Sequence, residues 1–169
     1  LLQHVRMAAD RALPEDDQAA GQDVGALDRD RDRDLHVRRA HAATIAILKR
    51  HKLRRGGIVH AFAGSLEEAR EYLKLGFKLG LGGAPTWPQA HRLRKVVAQL
   101  PLEAIVLETD APDMAPAMHP HRRNSPEYLA DICTELAALK NISQEQLARA
   151  STRNTQELFG WTPHEAKAC

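Results

Sequence analysis

The sequence predicts an α/β fold in which successive strand–helix units build a parallel sheet. From residue 35 onward, short apolar runs alternate with segments of helical periodicity, which is the pattern of consecutive βα units. Polar residues suited to chemistry lie at the ends of several of these runs, as they do where parallel strands end at a binding edge. The chain has 169 residues, enough for one domain with a sizeable core.

The composition limits the class of protein. The 24 basic and 22 acidic residues are well mixed and give a net charge of +2, which permits a nucleic-acid partner without indicating one. Cys133 and Cys169 are far apart, so we expect neither a disulfide framework nor a cysteine-built zinc site. No apolar run approaches the roughly 18 residues of a membrane span, and the opening residues lack the apolar core of a signal peptide. We therefore expect a soluble, cytoplasmic protein with no membrane partner.

Three segments follow from the distribution of residue types: 1–34, 35–160 and 161–169. The first ends in an alternating run of arginine and aspartate from Asp28 to Asp34. A buried strand there would strip the hydration from every charged group, so we expect 1–34 to be irregular or frayed, with a short helix over 3–13. The strand–helix units occupy 35–160, and 161–169 has the composition of a frayed tail.

The predicted strands are short apolar runs bounded by polar or glycine-containing segments. They cover residues 57–62, 77–81 and 104–108. Leu35–Arg38 looks like the end of a further strand, whose preceding apolar residues are replaced by the Arg/Asp run. Their separation by helical segments favours parallel pairing, because parallel strands need long crossover connections.

The predicted helices show apolar residues at helical spacing and recognisable first turns. The segment that begins at Ser65 has Glu68 three residues later, which is the spacing of a capping box. Ser125 is followed by Pro126 in the first-turn position, where its missing N–H costs nothing. The helices cover residues 40–51, 65–75, 88–100, 125–139 and 143–159, with a loop rich in proline and histidine over 111–124.

Three polar residues, His36, His60 and Asp110, lie at or near the carboxyl ends of predicted strands. Loops converge on ligands at that edge of a parallel sheet, so side chains from separate strands can meet there. Two imidazoles and a carboxylate suit a divalent metal such as Zn, Mn or Mg. Singly, each residue is better explained as a structural histidine or a turn cap, so the hypothesis depends on their equivalent places in successive units.

Several ordered segments resemble the signature segments of the TatD family of metal-dependent hydrolases, over about residues 35–160. They are HVRRAH at 36–41, HAFAGS at 60–65, GFKLGLGG at 76–83, ETDAP at 108–112, RNSPE at 123–127 and NTQELF at 154–159. The HAF and GGAPT sequences suggest the YjjV-like branch of that family.

The resemblance implies a TIM-barrel phosphodiesterase of the amidohydrolase type that acts on DNA, often as a 3′ to 5′ exonuclease, with one or two divalent metals. His36 and His60 would correspond to the two later metal-binding histidines. Asp110 would correspond to the last-strand carboxylate, a metal ligand that also accepts a proton from the attacking water. Glu108 is expected to be structural. The candidate phosphate contacts are Arg38, Arg122 and Arg123, although solvation of the surface would explain at least one of them.

The sequence departs from the family pattern in its first half. The His-x-His pair of the family's first strand and the glutamate of a mid-barrel strand are absent, and His119-Pro120-His121 is better explained as a surface loop. A complete (β/α)₈ barrel typically needs about 250 residues. We therefore expect a partial barrel without its N-terminal half, and we hypothesise that residues 1–34 derive from a shifted reading frame or a degenerate segment.

The missing ligands have functional consequences. A two-metal site cannot be completed without them, so we expect weak or absent nuclease activity. Exposed sheet edges would favour self-association. The main alternatives are a non-catalytic barrel remnant that acts as a folding or interaction module, and a different hydrolase of the amidohydrolase type acting on an amide or ester.

Overall fold

The computed structural model describes residues 3–8, 33–51 and 56–161. The chain divides into two compact units, Leu1–Leu79 and Gly80–Cys169. None of the helices in these three ranges qualifies as a membrane span.

The first unit is built on strands that pair in parallel. The pairs are β1 (Gln3–Ala8) with β2 (Arg33–Arg38), β2 with β3 (Gly57–His60), and β3 with the first residues of β4 (Phe77–Leu81). Helix α1 (His41–His51) follows β2, and helix α2 (Leu66–Lys74) follows β3. The unit therefore consists of consecutive βα connections, as the sequence predicts.

Alternation along these strands separates a buried face from a half-exposed one. Leu35, Val59 and Leu79 occupy matching register positions on β2, β3 and β4, and each is at most 1% exposed. Their neighbours in sequence point to the opposite face, because successive side chains of a strand alternate. His36 and His60 lie on that opposite face.

The capping box predicted at Ser65 is confirmed. The Ser65 hydroxyl accepts a hydrogen bond from the Glu68 backbone N–H at 3.2 Å, and the Glu68 carboxylate accepts one from the Ser65 N–H at 2.7 Å. Two backbone N–H groups at the start of α2 that lack helical acceptors are thereby satisfied, which fixes where the helix begins.

An aromatic cluster connects α1 and α2 with β4. Tyr72 is fully buried, and its ring meets those of His41, Phe62 and Phe77 at centroid distances of 5.8, 6.3 and 6.2 Å. His41 Nδ1 and the Tyr72 hydroxyl are hydrogen-bonded at 3.1 Å. Burial lowers the pKa of His41, with a smaller opposing effect from the Glu68 carboxylate. The cluster therefore favours a neutral imidazole.

The buried imidazole of His41 makes stability depend on pH. Its pKa in the folded chain lies below its ordinary value of 6.5, so the unfolded chain takes up a proton first as the pH falls. The stabilisation by neutral His41 is present above pH 6.5 and is lost as the pH falls toward the folded-state pKa. We expect the free energy of unfolding, measured in urea, to decline as the pH falls below about 6.5, and to decline less in His41→Gln. The exposed His91→Gln is the control, and an equal decline in both variants would contradict the prediction.

The structure differs from the sequence prediction near the start of the chain. Gln3–Ala8 is a strand rather than part of a helix, because parallel pairing with β2 supplies its backbone hydrogen bonds. Strand β2 begins at Arg33, so the end of the Arg/Asp run is extended and paired instead of irregular. Residues 9–32 lie outside the described residues, as do 162–169 of the predicted tail.

The second unit contains the end of β4, strand β5 (Ile105–Leu107) and three helices. The helices are α3 (His91–Gln99), α4 (Leu129–Lys140) and α5 (Gln144–Phe159). The Glu108 N–H donates to the Leu81 carbonyl at 3.2 Å, which joins the chain after β5 to the end of β4. The core is formed by side chains that are fully buried: Ile105, Ile132, Leu136 and Leu147.

Polar side chains of α5 form hydrogen bonds with the backbone of β5 and of the residues just before it. The Asn154 amide donates to the carbonyls of Leu102 and Ile105 at 2.7 and 2.8 Å, and the Ser151 hydroxyl accepts from the Leu107 N–H at 2.9 Å. The helix begins with a second capping box, between Ser143 and Gln146. These bonds fix the strand that leads to Asp110.

The helix predicted over 125–139 begins differently from the expectation. Ser125 makes no side-chain cap, and a 3₁₀ turn over Pro126–Tyr128 precedes α4. The Ser125 backbone is held by the preceding Asn124 side chain, so the start of this element depends on the loop before it.

Candidate metal centre

His36 and His60 are neighbours on β2 and β3. They occupy the same register position in this parallel pair, and His60 is the last residue of β3. Their ring centroids are 4.3 Å apart with an interplanar angle of 43°. The two imidazoles predicted as metal ligands are therefore brought together at one edge of the first unit.

Asp34 lies beside this pair. It precedes His36 by two residues on β2, and therefore shares its face of the strand. Its Oδ2 is 3.4 Å from His36 Nε2, and its side chain is 16% exposed. One ligand atom from each of Asp34, His36 and His60 lies within 4.8 Å of the other two. Two imidazole nitrogens and one carboxylate oxygen are a donor set that fits a divalent transition metal.

Sequence reasoning missed Asp34. It falls at the end of the Arg/Asp run, where every second residue is an aspartate and none stands out. The available signal was the spacing Asp34-Leu35-His36, which places both polar side chains on one face if β2 starts before Leu35.

Asp110 lies in the second unit, in the turn after β5. It has a left-handed backbone conformation with φ of 57°, and its carbonyl accepts from the Asp113 N–H at 2.8 Å. Two glycines at the end of β4, Gly80 and Gly82, make room for the acidic side chains here. A Cβ at Gly80 would collide with the Glu108 carboxylate, and a Cβ at Gly82 would lie 3.0 Å from Asp110 Oδ2. The glycines therefore allow both carboxylates to lie close against the backbone.

Asn124 holds the turn that carries Asp110. Its side chain is buried, and its amide donates to the carbonyls of Thr109 and Asp113, the latter at 2.6 Å. Its Oδ1 accepts from the Ser125 N–H at 2.9 Å, and its own N–H donates to the Pro112 carbonyl at 2.9 Å. These bonds reach both sides of Asp110, so Asn124 fixes the backbone on which the carboxylate stands. The sequence offered this residue only as part of the RNSPE segment.

The three arginines predicted to contact phosphate are all exposed. Arg38 is the last residue of β2, two positions after His36 on the same face. In the second unit, Arg122 and Arg123 lie in the loop before Ser125, and Arg123 borders an open pocket formed by residues 111–112 and 123–128. Exposure leaves their guanidinium groups accessible to an anionic ligand.

The His-x-His spacing at 119–121 does not form a pair of ligands. The His119 ring stacks on Tyr128 at a centroid distance of 3.7 Å, and its Nε2 is 2.7 Å from Asp131 Oδ2. His121 is exposed and has a positive φ of 60°. His119 thus packs the loop onto the start of α4, in agreement with its interpretation as a surface loop.

Known proteins with similar sequences are hydrolases. The pattern of the family described as TatD related DNase matches residues 32–160. An uncharacterized metal-dependent hydrolase of Escherichia coli K12, YjjV, is 43% identical over 125 residues, which cover 74% of this chain and 48% of YjjV. The uncharacterized metal-dependent hydrolase YabD of Bacillus subtilis is 38% identical over 128 residues, covering 74% and 49%.

The fold comparison agrees with the sequence comparison. The crystal structure of Escherichia coli YjjV, described as a TatD homologue, has a TM-score of 0.74 and 42% identity, covering 78% of this chain and 51% of that one. The parallel βα architecture and this match confirm the predicted fold class, part of a (β/α) barrel of the metal-dependent hydrolase type. The chain spans about half the length of the curated relatives it matches.

Proposed function

This chain belongs to the family of TatD-related DNases, and we propose that it is a metal-dependent hydrolase that cleaves phosphodiester bonds of DNA as a 3′ to 5′ exonuclease. The relatives named above are described only as metal-dependent hydrolases. The choice of DNA as substrate therefore comes from the family.

One observation carries the proposal: His36 and His60 lie side by side on two parallel strands, with ring centroids 4.3 Å apart, at the register position where β3 ends. Imidazole nitrogens at such an edge are ready ligands for a divalent metal. By resemblance, Asp110 is the third member of this set. A bound cation would neutralise the negative charge that builds on the phosphoryl oxygens during hydrolysis.

In this proposal, one side chain acts as the general base and others bind the phosphate. Asp110 orients the attacking water and accepts its proton, which is the work of a general base. Arg38, Arg122 and Arg123 bind phosphate oxygens, because a guanidinium can donate two parallel hydrogen bonds to them. Hydrogen bonds to the carbonyls of Asp110 and Asp113 fix the backbone of the turn from which the Asp110 carboxylate projects.

The proposal is tested by metal analysis together with a nuclease assay. We expect purified protein to contain stoichiometric Zn or Mn and to release nucleotides from single-stranded DNA in a reaction that a chelator stops. The reaction should be slow, because the His-x-His pair and the glutamate of the family pattern are absent from this sequence. His36→Ala and His60→Ala should each lower metal affinity by more than the roughly 10–100-fold typical of losing a ligand's supporting partner. The exposed His91→Ala is the matched control and should bind metal normally.

The alternatives give different results in the same assay. Absence of both bound metal and nucleotide release would favour a non-catalytic remnant. Bound metal with hydrolysis of amide or ester substrates, but not of DNA, would favour a different hydrolase of the amidohydrolase type. Self-association of the chain also stays a prediction, which its mass in solution tests.

A further inference from the structure

We propose that Asp34 is a metal ligand, so that Asp34, His36 and His60 together hold one divalent cation. The inference deepens the proposed hydrolase function and rests on it, because it adds a carboxylate of the first unit to the two histidines, beyond the Asp110 ligand that the family resemblance implies. All three residues belong to the first unit, on adjacent paired strands.

The register of β2 and β3 places the three side chains together. His36 is opposite His60, and Asp34 is one step back along the same face of β2. A parallel pair holds such neighbours at a fixed spacing, so their approach does not depend on a loop conformation. Their ligand atoms already lie within 4.8 Å of one another. Two ligands of one cation with bonds of about 2.0–2.2 Å stand at most about 4.4 Å apart, so rotation of these side chains would bring all three to bonding distance.

Charge supports the same assignment. The Asp34 carboxylate is largely buried, and burial of a carboxylate is costly unless a cation or hydrogen-bond donors compensate it. A divalent cation between the carboxylate and two neutral imidazoles would supply that compensation. Lys78 is another source of positive charge, because it lies on the same face two strands away, in the row that contains Asp34 and Ile58. The experiment must therefore separate a metal ligand from a partner of Lys78.

The donor set narrows the choice of metal. Two imidazole nitrogens and one carboxylate oxygen resemble the three-ligand sets of catalytic zinc sites, which keep a further position open. Such a set suits Zn, Mn or Fe(II) better than Mg or Ca, which prefer oxygen ligands. We expect the chain to select Zn or Mn over Mg.

The test is titration of the metal-free protein with Zn, followed by calorimetry, and with Co(II), followed by its visible absorption. We expect one Zn per chain, and about 100-fold weaker binding or worse in Asp34→Asn, since even supporting residues contribute 10–100-fold. Asp34→Glu keeps a carboxylate and should recover most of the affinity with a changed Co(II) spectrum. Asp113→Asn removes an exposed carboxylate of the second unit and should leave the Kd unchanged.

Each outcome decides the inference. If Asp34→Asn and Asp34→Glu both bind Zn like the parent chain while His36→Ala and His60→Ala do not, Asp34 is no ligand and the hydrolase proposal stands. If Lys78→Met and Asp34→Asn lower the midpoint of thermal unfolding equally without changing the Kd for Zn, Asp34 pairs with Lys78 instead. If the parent chain binds no Zn or Co(II), the inference and the metal-dependent function both fail. Thermal unfolding measured without metal identifies any variant that does not fold. If Asp34→Asn does not fold, the Kd of Asp34→Glu for Zn and its Co(II) spectrum decide whether Asp34 is a ligand.

Discussion

Replacing Asn124 with alanine is expected to lower the free energy of unfolding by about 2–5 kcal/mol, because two carbonyl acceptors lose their donor and a buried unsatisfied group costs roughly 1–3 kcal/mol. The two acceptors are the carbonyls of Thr109 and Asp113, on either side of Asp110. The Ser125 N–H also loses its acceptor. The turn before α4 and the turn that carries Asp110 would therefore loosen together.

Urea denaturation followed by circular dichroism measures this loss. Asn124→Asp is a strict comparison, because a carboxylate can still accept from the Ser125 N–H but cannot donate to either carbonyl when ionised. Asn124→Asp should lower the free energy of unfolding at least as much as Asn124→Ala does. Gln99→Ala removes one exposed amide–carbonyl hydrogen bond and should change stability by less than about 0.5 kcal/mol. A loss below 1 kcal/mol in Asn124→Ala would mean that solvent replaces these bonds at little cost.

The features that could be predicted from the sequence depend on residues close together in the chain. The capping box of Ser65 and Glu68 involves residues three apart, and local sequence patterns located the five α-helices found in the described ranges 33–51 and 56–161. His60 was recognisable because it follows the apolar residues Ile58 and Val59, and His36 because the HVRRAH segment resembles the family pattern. Their proximity followed from parallel pairing, which brings equivalent strand ends to one edge.

The features that escaped prediction depend on partners distant in sequence. Asp34 becomes a candidate ligand only when β2 starts at Arg33 and pairs with β3 in the observed register. β1 is a strand because β2 lies beside it, and its own residues did not indicate this. Asn124 acts on carbonyls 11 and 15 positions earlier, a relation that only the folded loop creates. Propensity is a weak prior wherever tertiary pairing supplies the hydrogen bonds.

Asp110→Asn is expected to lower kcat for nucleotide release from single-stranded DNA by about 10²–10⁴-fold, the usual contribution of a general base. Asparagine matches the shape of aspartate but cannot accept a proton at neutral pH. The turn should keep its conformation, because the Asp113 N–H and the Asn124 amide donate to backbone carbonyls. None of these hydrogen bonds involves the Asp110 side chain. Assays at saturating metal separate loss of the base from loss of a ligand.

Glu108→Gln is the matched control, because Glu108 carries the same kind of carboxylate two residues away in the same unit. The Glu108 side chain lies over Gly80 and that of Asp110 over Gly82, so the two acids have similar surroundings but different places in the turn. If Glu108 is structural, Glu108→Gln should change kcat by less than about 10-fold, below the range expected for removing a general base. An equal loss in both variants would instead mean that the two carboxylates act as one unit, since residues that share a task give non-additive losses. The double variant then distinguishes the two cases. If the two carboxylates act as one unit, the fold-loss in kcat of the double variant equals that of either single variant. If they act independently, it is the product of the two single fold-losses.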